Sequence, residues 1–95
     1  MEKKIIGIAI YRPEDWERLL EISYDRDQLE DTWFEWNDSV HKFENDLQQR
    51  GIKYEKILID LNELIEYCKR QGLRIDGRSR SRFTAVKLSR LYRKK

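Results

Sequence analysis

The spacing of apolar residues changes several times along the chain, and each spacing predicts an element. From Ile5 to Tyr11 no polar residue interrupts a run rich in β-branched isoleucines. Residues 4–11 therefore read as a strand covered on both faces and central to its sheet. Pro13 suits the first turn of a helix, Glu14 and Asp15 favour its positive end, and Trp16, Leu19 and Leu20 share one side. That short helix is expected to end near Ser23, and residues 24–31 form a polar connector.

Thr32 and Glu35 have the spacing of a capping box, in which side chain and backbone satisfy each other at a helix start. Trp33, Trp36, Val40, Phe43 and Leu47 follow at steps of three and four, and Gly51 is a natural stop, so a helix is predicted over 32–50. Phe34 lies about 100° round from Trp33, on the side of Asn37 and His41. Phe34 and His41 are thus a candidate protein interface.

Lys53 to Asp60 carries Tyr54, Ile57, Leu58 and Ile59, a second strand. Asp60 and Glu63 open the next helix, with Leu61, Leu64, Ile65 and Cys68 on its buried side and Gly72 at its end. Asp76 can cap a final helix reaching about Tyr92, with Ala85, Leu88 and Tyr92 along one side and Phe83 and Val86 along another. The predicted order is β-α-α-β-α-α, an α+β fold class in one domain spanning 1–95, with 93–95 a basic end that needs no fixed structure. Strands joined through helices pair in parallel when they are neighbours. A small parallel sheet leaves an apolar edge unpaired, and a second copy of the chain is expected to cover it.

Charge changes this picture more than composition does. Charged residues are 40% of the chain and hydrophobic ones 39%, too much apolar material for a disordered polymer. The net charge of +2 hides a segregation. Residues 1–68 hold 9 Lys and Arg against 17 Asp and Glu, whereas residues 69–95 hold 11 against 1. A basic segment of this density attracts phosphate, an acidic partner, or the acids of its own chain. No apolar run approaches the roughly 20 residues that span a bilayer. Lys3 and Lys4 faintly imitate a signal peptide, but Arg12-Pro13-Glu14-Asp15 stands where a cleavage site would be needed, so a cytoplasmic protein without a membrane partner is expected. The single cysteine, Cys68, fits a buried thiol in a reducing compartment.

Catalytic constellations are scarce. His41 is the only histidine and falls on a polar helix side, and Cys68 has no partner at metal-ligand spacing. Asp25, Asp27, Glu30 and Asp31 could surround a hard cation, but Leu29 and Glu30 break the calcium-loop pattern. No Gly-rich phosphate loop, nucleophile elbow or cofactor fingerprint is present, so no enzyme activity, metal or cofactor is expected. Trp16, Trp33 and Trp36 are read as one cluster joining two helices.

The stretch Gly77-Arg78-Ser79-Arg80-Ser81-Arg82 breaks a local rule. Three arginines occupy the first turns of a helix, where the macrodipole favours acids. Backbone N–H groups, the Ser79 and Ser81 hydroxyls and the arginine forks would together form an anion site. Arg82, Arg90 and Arg93 fall within about 80° of one another on the helix, with Lys87 nearby. Arg74, Arg78, Ser79, Arg80, Ser81, Arg82, Lys87, Arg90 and Arg93 are accordingly candidate nucleic-acid or anion contacts. The alternative is that these arginines reach acids of 13–22 or 25–38, or the same region of a second subunit. The link around Gly72 permits a helix-turn-helix, but pattern does not fix a crossing angle.

Asp15-Trp16, Leu19-Leu20, Ile22-Ser23, Asp25-Arg26, Leu29, Thr32-Trp33 and Glu35-Trp36, followed by Gly51, Asp60, Tyr67-Cys68, Gly72, Asp76 and Arg82, resemble a family of small uncharacterised bacterial proteins of about this size. That resemblance implies a compact bacterial cytosolic protein and brings no catalytic or binding residue with it. The arginine-rich 78–82 segment and lysine-rich end depart from the family pattern. The leading functional expectation is a non-catalytic interaction or regulatory protein, acting as a homodimer, another homo-oligomer or a subunit bound to an acidic protein. The competing one is a DNA- or RNA-binding module using residues 69–95.

Overall fold

A computed structural model describes residues 5–93. Strands β1 (Ile6–Ile10) and β2 (Tyr54–Leu58) pair in parallel, Ile6 opposite Tyr54 through Ile10 opposite Leu58. Between them the chain runs through a 3-10 turn at Pro13–Asp15, helix α1 (Trp16–Ile22), a second such turn at Arg26–Gln28, and helix α2 (Trp33–Gln49). Helices α3 (Leu61–Gln71) and α4 (Gly77–Arg93) follow β2. This is the α+β architecture and element order expected from the pattern. Lys4 of the predicted first strand, and Lys94 and Lys95 of the basic end, lie outside the described residues.

Among the described residues the sheet has two strands, so β1 is an edge there and not the centre of a wider sheet. Its coverage on both faces comes from helices. Strand alternation sends Ile6, Ile8 and Ile10 to one face, where Ile8 packs with Val40 and Leu47 of α2. Ala9, Tyr11, Ile57 and Ile59 point the other way, into a core shared with Trp16, Leu19, Leu61, Leu64, Cys68 and Phe83. Leu19 and Leu64 are fully buried, and truncating either to alanine costs about 2–5 kcal/mol.

Two local devices fix the helices on this sheet. Gly7 lets α4 approach β1 closely, since a Cβ there would stand 3.2 Å from Thr84 Cγ2 and 3.4 Å from Leu88 Cδ2. Gly72 closes α3 in the left-handed region at φ 66°, which costs a residue without Cβ little. Side-chain caps do the rest. The Glu35 N–H donates to Thr32 Oγ1 while the Thr32 N–H donates to Glu35 Oε1, and Asp60 accepts from the N–H groups of Asn62 and Glu63.

The three tryptophans form the expected cluster, completed by Tyr11. Ring centroids lie 5.1 Å apart for Trp16 and Trp36 and 6.1 Å for Trp33 and Trp36. Each outer indole is also tethered, Trp33 donating to the Tyr11 carbonyl at 2.7 Å and Trp16 to that of Glu30 at 3.1 Å.

Three stripe positions differ from expectation: Phe43, Ala85 and Tyr92, the last 38% exposed. Phe43 is 44% exposed, and Glu44 takes the buried place. A two-stranded sheet is too narrow to cover the whole apolar stripe of α2, and Glu44 is held there by Lys56 Nζ at 3.4 Å and His41 Nδ1 at 3.3 Å. On α4, Ala85 faces solvent and Ser79, Phe83 and Thr84 are buried. The helix is rotated so that Thr84 meets Gly7 and Phe83 meets Tyr67, with ring centroids 5.2 Å apart. No helix among the described residues is long and apolar enough to cross a membrane.

Candidate nucleic-acid interface

The amino end of α4 is capped from two directions. Asp76 and Ser79 form a reciprocal pair, the Ser79 N–H donating to Asp76 Oδ1 at 3.0 Å and the Asp76 N–H donating to Ser79 Oγ at 2.9 Å. Ser79 is thereby buried as a cap. Asp25, from the connector after α1, supplies a second negative charge: its Oδ2 accepts the Gly77 N–H at 3.0 Å. Arg80 donates to both of its oxygens, at 2.9 and 2.7 Å, and also to Ser23 Oγ at 3.2 Å. The hydrogen bonds from Arg80 hold the Asp25 carboxyl below its usual pKa, against a smaller opposing effect of burial.

Of the groups read as an anion site in the 77–82 stretch, the Gly77 N–H and the Arg80 fork converge, and they converge on an aspartate of the same chain. This helps explain how arginines are tolerated in the first turns of α4: beside Asp76, the dipole receives a second acid from 52 residues away. It also divides the candidate residues. Ser79 and Arg80 belong to the interior. Lys87 reaches Glu63 Oε1 at 2.9 Å, and Arg74 lays its guanidinium 4.1 Å over the exposed Tyr24 ring.

The rest of the described basic segment is open to solvent. Lys69, Arg70, Arg74, Arg78, Arg82, Arg90 and Arg93 are exposed and form no ion pair among the described residues. Arg78, Arg82 and Arg93 fall within about 60° of one another on α4 and span about 22 Å of its length. Ala85 and Ser89, exposed on the same side, place no acid between them. Arg74, Arg78 and Arg82 also rim a cleft of about 260 Å³ at the α3–α4 link. Arg90 stands about 80° from Arg82 on the α3 side, and Ser81 is exposed at the mouth of a separate cavity.

The other candidate surface lies on α2. Phe34 is 73% exposed, with its ring edge-on to Trp33. His41 shares its side of the helix, about 20° away, and pairs with Glu44. These two residues are distant in role from the arginine stripe and contribute nothing to it. The alternative reading, that these arginines reach acids of 25–38, holds for Arg80, which meets Asp25; the pattern did not single out Asp25 among those acids.

Compared with protein-family models, curated proteins and solved structures, the chain matches none.

Proposed function

We propose that the protein is a non-catalytic binding module that grips the sugar-phosphate backbone of a nucleic acid with the outer side of α4. The observation that carries this reading is the row of Arg78, Arg82 and Arg93, unpaired and aligned along the helix. Self-neutralisation would have consumed these charges, yet only Arg80 and Lys87 of the described basic segment meet carboxylates. A linear row suits a linear polyanion, and Arg74, Arg78 and Arg82 line one cleft at its end, together with Asp76. Contacts of this kind position a protein without reading sequence, so affinity should be broad across sequences and fall steeply with salt. A fluorescence-anisotropy titration of labelled random-sequence duplex and single-stranded oligonucleotides at about 50 and 200 mM salt tests it. Binding that collapses at the higher salt supports the reading; no binding at the lower salt refutes it.

A second reading, a homodimer or assembly subunit, is favoured by one observation, the exposure of Phe34 beside His41. An exposed aromatic ring set edge-on to Trp33 is a ready anchor for a partner surface. Both readings suit a cytoplasmic protein, where the buried Cys68 thiol stays reduced.

A further inference from the structure

A cavity of about 300 Å³ opens between β1, α1 and the first turns of α4. Its apolar wall includes Tyr11, Trp16, Leu29 and Trp36, and its polar wall Arg80 and Ser81. Its size falls at the lower end of the roughly 300–1,000 Å³ typical of small-molecule sites. Tyr11 is only 5% exposed, and its ring meets those of Trp16 and Trp36 edge-on. Its hydroxyl makes no hydrogen bond to any described protein group. No sealed side-chain oxygen or nitrogen among the described residues lacks a partner, so this hydroxyl is not sealed off, and Tyr11 is one of the residues that line the cavity. The phenol lies within the field of Arg80 and Asp25.

These features narrow the ligand. Arg80 is the one ionised side chain on the wall, and Asp25 cancels its charge, so the cavity offers no net attraction to an anion or a cation. A purely apolar occupant would leave the Tyr11 hydroxyl dry and unpaired, a costly outcome. Aromatic walls favour a flat ring over an alkyl chain. We propose that the cavity binds a planar, uncharged heteroaromatic ring of the nucleobase type, which accepts a hydrogen bond from the Tyr11 hydroxyl and packs against Trp16 and Trp36. The ring comes either from a free nucleoside or from one base of a strand. The inference stands apart from the backbone reading of α4, because a nucleoside carries no phosphate.

The test is a titration of the full chain with adenosine, guanosine, cytidine and uridine, followed by the indole N–H signals in two-dimensional NMR. At least one nucleoside should shift the Trp16 or Trp36 signal saturably below about 1 mM. Tyr11→Phe should weaken that binding about tenfold, and Ser81→Trp, at the exposed mouth, should block it without touching the core. Short oligonucleotides of the same base distinguish the sources. Tighter binding that is equally sensitive to Tyr11→Phe identifies a base within a strand, and no gain over the nucleoside identifies the free ring. Absence of a saturable shift with every nucleoside and oligonucleotide overturns the proposal, as does binding that survives both substitutions.

Discussion

Arg80 and Asp25, separated by 55 residues, meet through two hydrogen bonds in the interior, with side chains only 10% and 14% exposed. The same carboxylate closes the amino end of α4 through the Gly77 N–H. One ion pair thus locks the connector after α1 to the helix that carries the exposed arginines. Breaking a buried pair by removing one partner strands a charge. Arg80→Ala or Asp25→Asn should lower unfolding free energy by about 3 kcal/mol, and the paired replacement Asp25→Leu with Arg80→Met should recover part of that loss. Urea denaturation of the single and double variants measures it; single variants as stable as the parent would contradict the account.

Asp25 also sets a direction for acid sensitivity. Its pKa is lowered in the folded chain, so the folded state binds its proton less readily than the unfolded one. The stabilisation is complete above the usual aspartate range, near about pH 4, and is lost as pH falls through the lowered value. The parent protein should lose stability below about pH 4 more steeply than Asp25→Asn does. Equal slopes for the two proteins in denaturation melts across that range would rule the linkage out.

Tyr11 acts at the other limb. Burial raises its pKa to about 12, with Arg80 opposing and Asp25 assisting to a smaller degree. The folded state holds this proton more tightly, so the contribution is complete below about pH 10, the unfolded value, and disappears as pH rises to about 12. Thermal melts from pH 9 upward should show a loss of stability that Tyr11→Phe removes. An unchanged alkaline limb in that variant would mean that another group governs it.

Phe34 gives a clean test of self-association because it contributes so little to the core. Phe34→Glu should change monomer stability by less than about 0.5 kcal/mol and weaken any dimer formed through α2. Sedimentation of both proteins at high micromolar concentration decides. A parent protein that is monomeric there, or a dimer indifferent to the substitution, removes this surface from consideration.

Much of the fold was legible because local signals agreed with one another. Thr32 with Glu35, Asp60 before α3 and Gly72 after it announce helix ends by chemistry that acts within a few residues, and all three appear as read. Misreadings arise where the decision is made at a distance. Phe43 yields its buried place to Glu44 because Lys56 of β2 reaches that carboxylate, a contact no helical periodicity encodes. Ala85 faces solvent because Gly7 admits Thr84 instead. The same reasoning governs the candidate site. The 77–82 arginines were visible as an anomaly, yet nothing local says that Asp25 answers Arg80 and leaves Arg78 and Arg82 free. Tyr11 read as the end of a strand, and only the packing of Trp16 and Trp36 around it reveals that it lines a cavity.

On the proposed function, the outer arginines of α4, and not the inner one, would meet phosphate. The direct measurement is the salt dependence of random-duplex affinity for the parent chain and for a variant carrying Arg78→Gln, Arg82→Gln and Arg93→Gln. The variant should fold normally, bind more weakly at low salt, and show a log–log salt slope shallower by about 3. An unchanged slope and affinity would contradict it.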